Sequence, residues 1–172
     1  MLRKFILKIL KPKFLFRYIV KSKAQSCKGK LSVNGFSTVS NNTYLGYNVN
    51  FNGMKITGKG RCTIGDNFHS GTNCQILTDY HNYDHGSKIP YDNTFVVRDV
   101  TIEDNVWLGN NVIVLPGVRI GEGAVIQAGS VVHGKIPSCA VIGGNPAKVF
   151  KHRDMEHYNK LKNEGKFLLE EN

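Results

Sequence analysis

The sequence predicts an all-β chain coiled into a parallel prism of about five turns, with a helical basic arm before it and a short helix after it. Three observations predict this. Large apolar residues recur every six positions: Ile102, Leu108, Val114, Ile120, Ile126 and Val132 are aliphatic without exception. Glycine recurs one residue after the apolar position, at Gly46, Gly58, Gly65, Gly71, Gly109 and Gly121. The 172 residues carry a formal net charge of +10, and all of it lies in the first thirty. Residues 1–30 hold Arg3, Lys4, Lys8, Lys11, Lys13, Arg17, Lys21, Lys23, Lys28 and Lys30 and no acid, leaving 13 cations against 13 anions in the rest. A body of balanced charge excludes a protein that binds nucleic acid over its whole surface.

The arm, residues 1–30, comes first. Leu2, Phe5, Ile6, Ile9 and Leu10 fall at helical spacing, with Arg3, Lys4, Lys8 and Lys11 mostly on the other side. Pro12 interrupts the pattern and starts a second piece carrying Phe14, Leu15, Phe16, Tyr18, Ile19 and Val20. Such an arm fits either peripheral contact of residues 1–26 with an anionic membrane or packing on its own domain or a sister subunit. Its apolar stretch is broken by Lys8, Lys11, Lys13 and Arg17, unlike a secretory signal, so a cytoplasmic protein is expected. No run of apolar residues is long enough to cross a bilayer.

The prism is expected over residues 31–150. Stepping by six from Val33 gives Val39, Leu45, Phe51 and Thr57; after a slip of one come Ile64, Ser70 and Ile76. A second inward position follows four residues after each, as at Ser37, Thr43, Val49, Phe68, Cys74, Val106, Val112, Val118, Ala124 and Ser130. Short strands with one large and one smaller inward residue line a narrow prism. Gly and Asn suit its corners, where the chain needs φ > 0 or a side chain that bonds its own backbone. Three hexapeptides make one triangular turn, and about five turns rise roughly 24 Å at the inter-strand spacing. Cys27, Cys62, Cys74 and Cys139 show no CxxC or metal-ligand spacing and read as small buried residues. Residues 151–172 read as a short helix and a polar tail that pack against a neighbour.

The stretch from Ile102 to Gly121, with Ala124-Val-Ile-Gln-Ala-Gly-Ser-Val-Val and the exit Ile142-Gly-Gly-Asn-Pro-Ala-Lys-Val, resembles hexapeptide-repeat acyltransferases. The likeness is to galactoside, maltose and polysaccharide O-acetyltransferases and covers roughly residues 30–152. It implies a left-handed parallel β-helix, a homotrimer, and acetyl-CoA bound between neighbouring prisms as co-substrate. The implied activity is acetyl transfer to a sugar hydroxyl of a surface polysaccharide or its precursor. No metal is expected.

Residues 79–100 break the repeat, and long excursions from a regular framework are often functional. The resemblance assigns the catalytic base to His81, with His85 as rival. A neutral imidazole accepts a proton near pH 7, and Asp79, Asp84 or a backbone carbonyl would orient it. On the donor side the resemblance implies Trp107, Gly109, Asn110 and Ala128 along the later coils. A backbone N–H of Gly109 or Asn110 would face the developing oxyanion. His133 and Gly134 stand where relatives carry Thr-Lys, with Lys135 as a substitute cation. Lys148 and Lys151 match positions that meet the nucleotide phosphates. For the acceptor, Asn50 and Asn52 resemble an Asn-Phe-Asn segment of the galactoside relatives, and Tyr80, Tyr83, Tyr91 and Phe95 offer rings for a sugar to stack on.

Other chemistries remain beside this one: N-acetylation of an amino-sugar nucleotide, acetylation of a xenobiotic, or a non-enzymatic repeat protein. A γ-type carbonic anhydrase needs three zinc-binding histidines from different coils, and no histidine precedes His69.

Overall fold

The computed structural model describes residues 12–168. Its corners explain why the chain coils. Asn48, Asn67 and Asn105 have φ of 55°, 53° and 60°, and Gly123 and Cys139 continue their column. Asn tolerates this left-handed region because its short side chain bonds locally. Here the amides also stack: Asn48 Nδ2 donates to Asn67 Oδ1 (2.9 Å) and Asn67 Nδ2 to Asn105 Oδ1 (3.0 Å). Gly53, Asn73, Asn111 and Gly129 make the second corner, and Gly58, Gly117 and Gly134 the third, all with positive φ.

Between the corners run short parallel strands. The first face stacks β1 (Ser26–Cys27), β3 (Thr43–Leu45), β5 (Cys62–Ile64), β9 (Val100–Ile102), β12 (Arg119–Ile120) and β15 (Lys135–Ile136). The second stacks β2 (Leu31–Gly35), the first halves of β4 (Val49–Thr57) and β6 (His69–Leu77), then β10 (Trp107–Leu108), β13 (Val125–Ile126) and β16 (Ala140–Gly144). The third takes the second halves of β4 and β6 with β11 (Ile113–Val114) and β14 (Val131–Val132). The result is a parallel β-solenoid of about six turns, against five expected. β1 adds a rung of the first face ahead of residue 31. Cys27 stands six residues before Val33, one step back along the repeat.

The core is the stacked inward columns, among them Leu45, Ile64, Ile102 and Ile120, all at most 1% exposed. One position departs from expectation. Ile56, not Thr57, is buried and pairs with Ile76, because the Gly53 corner is one residue shorter. Where the large position holds Ser70, the small one holds Phe68, whose ring meets Phe51 edge-on at 6.0 Å. Phe68 thus fills the volume that Ser70 leaves. All four thiols are free; burial pushes that of Cys62 up to about 12, which keeps it an inert core group.

Both ends are covered. Helix α1 (Pro12–Lys23) packs on β2, burying Val20 completely and setting Phe16 edge-on to Phe36 at 5.7 Å. The expected helix over residues 2–11 lies outside the described residues. β17 (Ala147–His152) folds back antiparallel on β16 and leads to α2 (Met155–Asn163). Asp154 caps α2 by accepting from the His157 N–H at 3.0 Å. α2 docks on its own prism and buries none of its residues there. The Tyr158 hydroxyl donates to Glu122 Oε1 (2.8 Å), Asn105 Nδ2 donates to the Tyr158 oxygen (3.0 Å), and Lys162 Nζ lies 2.6 Å from Glu122 Oε1.

Two predictions follow from this packing. Phe68→Ala should cost about 3–5 kcal/mol in denaturant unfolding; a loss under about 1 kcal/mol would show that the ring does not fill the coil. The α2 anchor should depend on pH. Burial alone would raise the Glu122 carboxyl, but hydrogen bonds from Lys162, Tyr158 and Asn105 outweigh it and hold the group below its usual value. The bond to Glu122 raises the Lys162 ammonium. Glu122's contribution is therefore present above the ordinary carboxylate value and fades as pH falls through the lowered one. Lys162's is present below the ordinary ammonium value and fades as pH rises through the raised one. Proteolysis near Gly165 should accelerate below about pH 4, and Glu122→Gln should abolish that acid limb.

Candidate active site

The prism opens at its third corner. The Arg98 N–H donates to the Thr78 carbonyl at 2.9 Å, so the coil closes as if residues 79–97 were absent. Those residues form an arm in which β7 (Asp79–His81) pairs antiparallel with β8 (Phe95–Val97). Asp92 organises the tip, accepting from the backbone N–H and hydroxyl of both Ser87 and Thr94 at 2.6–3.1 Å. These donors, the Thr94 hydroxyl first, hold its carboxyl well below the usual range.

Strand alternation sets His81 and Tyr80 on opposite sides of the arm. His81 pairs with Phe95 on one side of the arm and Tyr80 with Val96 on the other. The His81 ring stacks on Tyr91 (centroids 3.8 Å apart, 19° between planes) and tilts against Phe95 at 4.5 Å. Tyr91 and Phe95, expected as sugar platforms, lie against the His81 ring. His81 Nδ1 is buried and has no hydrogen-bond partner among the described residues. Neither Asp79 nor Asp84 bonds to it; Asp79 Oδ2 accepts from the Lys59 backbone N–H at 2.9 Å. On the opposite side Tyr80, Tyr83, Asp84, His85 and Arg98 line a separate hollow of about 230 Å³, with the two tyrosine rings 5.9 Å apart.

Sequence reasoning missed Lys59, whose ammonium sits 4.1 Å from the centroid of the Phe95 ring. The available signal was its turn, Gly58-Lys59-Gly60, whose backbone the first residue of the arm caps.

The expected donor-side residues occupy two different edges of the prism. Trp107, Gly109, Asn110 and Ala128 run along the second face and second corner, with Trp107 54% exposed. A Cβ at Gly109 would stand 2.6 Å from the Ala128 nitrogen, so only glycine lets the coils approach there. The Gly109 N–H is already spent on the Ile126 carbonyl at 2.8 Å, which removes it as an oxyanion donor. The Asn110 side chain caps the preceding coil by accepting from the Thr72 N–H at 2.8 Å. Lys148 and Lys151 project exposed from the exit hairpin. His133, Gly134 and Lys135 lie at the third corner, on the edge that bears the His81 arm.

Asn50 and Asn52 share the second face with Trp107. Asn52 Nδ2 donates to the Ser70 carbonyl (2.6 Å) and to Asn50 Oδ1 (2.9 Å), while Asn50 Nδ2 is buried without a partner among the described residues. Trp107 pairs in register with His69, and both line a cleft of about 510 Å³ under α2 that also takes in Leu161, Phe167 and Leu168. A full side of the triangle, roughly 15 Å at the rise of a β-strand, separates these residues from His81. Among the described residues no three His, Cys, Asp or Glu side chains cluster in a way that holds a metal ion.

The comparisons with known proteins agree with this geometry. Residues 99–134 match the family described as bacterial transferase hexapeptide (six repeats). Galactoside O-acetyltransferase of Escherichia coli is 33% identical over 130 residues, 73% of this chain and 63% of that protein. The crystal structure of a maltose O-acetyltransferase from Clostridium difficile superposes with a TM-score of 0.66 at 32% identity, covering 80% of this chain and 72% of that one. Galactoside acetyltransferase in complex with coenzyme A gives 0.60 at 29%, covering 74% and 66%. The chain spans a little over half the length of the curated relatives it matches. With a solenoid of hexapeptide turns, a histidine-bearing arm at one corner and relatives that share most of the coils, the chain belongs to the hexapeptide-repeat transferase family.

Proposed function

We propose that the chain is an acetyl-CoA-dependent O-acetyltransferase. It acts as a homotrimer in the cytoplasm on a sugar hydroxyl of a surface polysaccharide or its precursor. The observation that carries this reading is His81, held between two aromatic rings on an arm that leaves the prism. The likenesses to a galactoside and a maltose O-acetyltransferase, and to a galactoside acetyltransferase in complex with coenzyme A, support this choice of donor and acceptor.

The separated edges support an assembled site. In a threefold oligomer the third corner of one copy meets the second face of the next. That brings His81, His133, Gly134 and Lys135 of one chain opposite Trp107, Asn110, Ala128, Asn50 and Asn52 of another. Acetyl-CoA lies in the seam, its phosphates toward Lys148 and Lys151, which act as point charges without the fork geometry of arginine. Tyr80, Tyr83 and His85 line the acceptor's path on the far side of the arm. Asn110, whose backbone N–H is the remaining candidate beside the thioester, takes over the oxyanion role that Gly109 cannot fill.

The chemistry is direct transfer. His81 Nε2 accepts the acceptor's hydroxyl proton as its oxygen attacks the thioester carbonyl carbon. The tetrahedral intermediate collapses, the C–S bond breaks, and the coenzyme A thiolate takes the proton back from the imidazolium. Nε2 is basic only while Nδ1 keeps its proton, and an N–H buried without an acceptor is costly. The neighbouring copy supplies that acceptor.

His81→Ala should lower acetyl transfer by about 10²–10⁴-fold, measured as thiol release from acetyl-CoA against a panel of sugars, with the oligomer intact. Wild-type turnover in that variant would overturn the assignment. Transfer to amino-sugar nucleotides alone would replace hydroxyl with amine as the acceptor.

A further inference from the structure

Helix α1 has two apolar sides. At 100° per residue Phe16 and Val20 point one way, and there they pack on the prism, with Val20 fully buried. Phe14, Leu15 and Tyr18 point the opposite way and are 62%, 47% and 64% exposed. Arg17 and Lys21 border that second side, and the Arg17 guanidinium lies 5.5 Å over the Phe14 ring. An amphipathic helix needs one apolar side to join its own core; the other is unspent.

We propose that this second side of α1 docks on an anionic lipid bilayer. Charge selects the occupant. Residues 1–30 carry ten cations and no acid, while the remaining chain is balanced and offers no net negative body to receive them. A second α1 brought against the first would set like charges together. A bilayer of acidic headgroups over hydrocarbon satisfies both parts of the surface. The rings of Phe14 and Tyr18 and the side chain of Leu15 enter the headgroup boundary, and the basic side chains meet phosphates. A phenol with an apolar body and a polar tip is well suited to that depth.

The helix is also fixed before it binds. Val20 closes the first coil, and the Ala24 N–H continues the helix by donating to the Val20 carbonyl at 2.9 Å. Adsorption therefore requires no ordering of α1 and sets the solenoid with its N-terminal end toward the lipid. The His81 arm leaves between the third and fourth rungs of the first face. That places it roughly 14 Å up the axis at the inter-strand spacing, within reach of a saccharide held at a membrane surface. The lipid contact itself does not depend on the acetyl-transfer reading.

The test is co-sedimentation of the full chain with vesicles of phosphatidylcholine, alone or with about 30 mol% phosphatidylglycerol. Binding is expected only to the anionic vesicles and should fall at least about tenfold as salt rises past about 0.5 M, where screening is short-ranged. A triple variant Phe14→Ser, Leu15→Ser, Tyr18→Ser and a second variant Arg17→Gln, Lys21→Gln should each lose vesicle binding by about tenfold or more. Both should keep the wild-type oligomer on a sizing column and wild-type transfer to a soluble acceptor. Equal binding to neutral and anionic vesicles, or none to either, overturns the proposal. So does dissociation of the oligomer in the serine variant, which would make a second copy the occupant.

Discussion

Every coil of this solenoid must return to the register of the coil before it, and that single constraint organises the rest. A one-residue slip would turn the inward column outward, since side chains alternate along a strand. Closure is achieved at corners with φ > 0, filled by Asn and Gly. The asparagines do two things at once: they accept the left-handed turn, and they bond to the asparagine of the next coil. The ladder ends where Asn105 meets Tyr158 and Glu122, so the corner that fixes the coils also seats the C-terminal helix.

The same constraint explains how a histidine-bearing arm can leave so regular a body. Because Arg98 bonds Thr78 directly, the prism does not register the excursion at all. The strands on either side, Cys62–Ile64 and Val100–Ile102, pair residue for residue. The arm is thus free to carry its own internal order, built on the Asp92 turn and the aromatic clamp, without disturbing the core. Its histidine is positioned by ring contacts rather than by a carboxylate, and its Nδ1 has no partner among the described residues.

Periodic features were legible in the sequence; contacts between distant positions were not. The aliphatic run from Ile102 to Val132 announced its own coils, because each residue's environment repeats six positions later. Cys27 carried the same signal one step earlier than the expected boundary, weakened by its small side chain and the basic residues around it. Ile56 displaced Thr57 because a shortened corner leaves no compositional trace. The arm's place and its histidine were visible as a break in the period. The stacking of Tyr91 on His81 was not, since nine residues lie between them and Asp92 organises the tip. The docking of α2 on Glu122 depends on Tyr158, 36 residues further along the chain, and no local pattern announces such a pairing.

The central claim is that the active site is divided between copies of the chain, with the base from one and the donor face from the next. Mixing denatured His81→Ala and Trp107→Ala chains in equal amounts and refolding them together tests it directly. The two parents should be inactive alone. The mixture should recover about a quarter of the wild-type rate, the chance that a given pair of neighbours brings two intact halves to one seam. A mixture no more active than its parents, with mixed oligomers shown to form, would contradict the claim and place the whole site within a single chain.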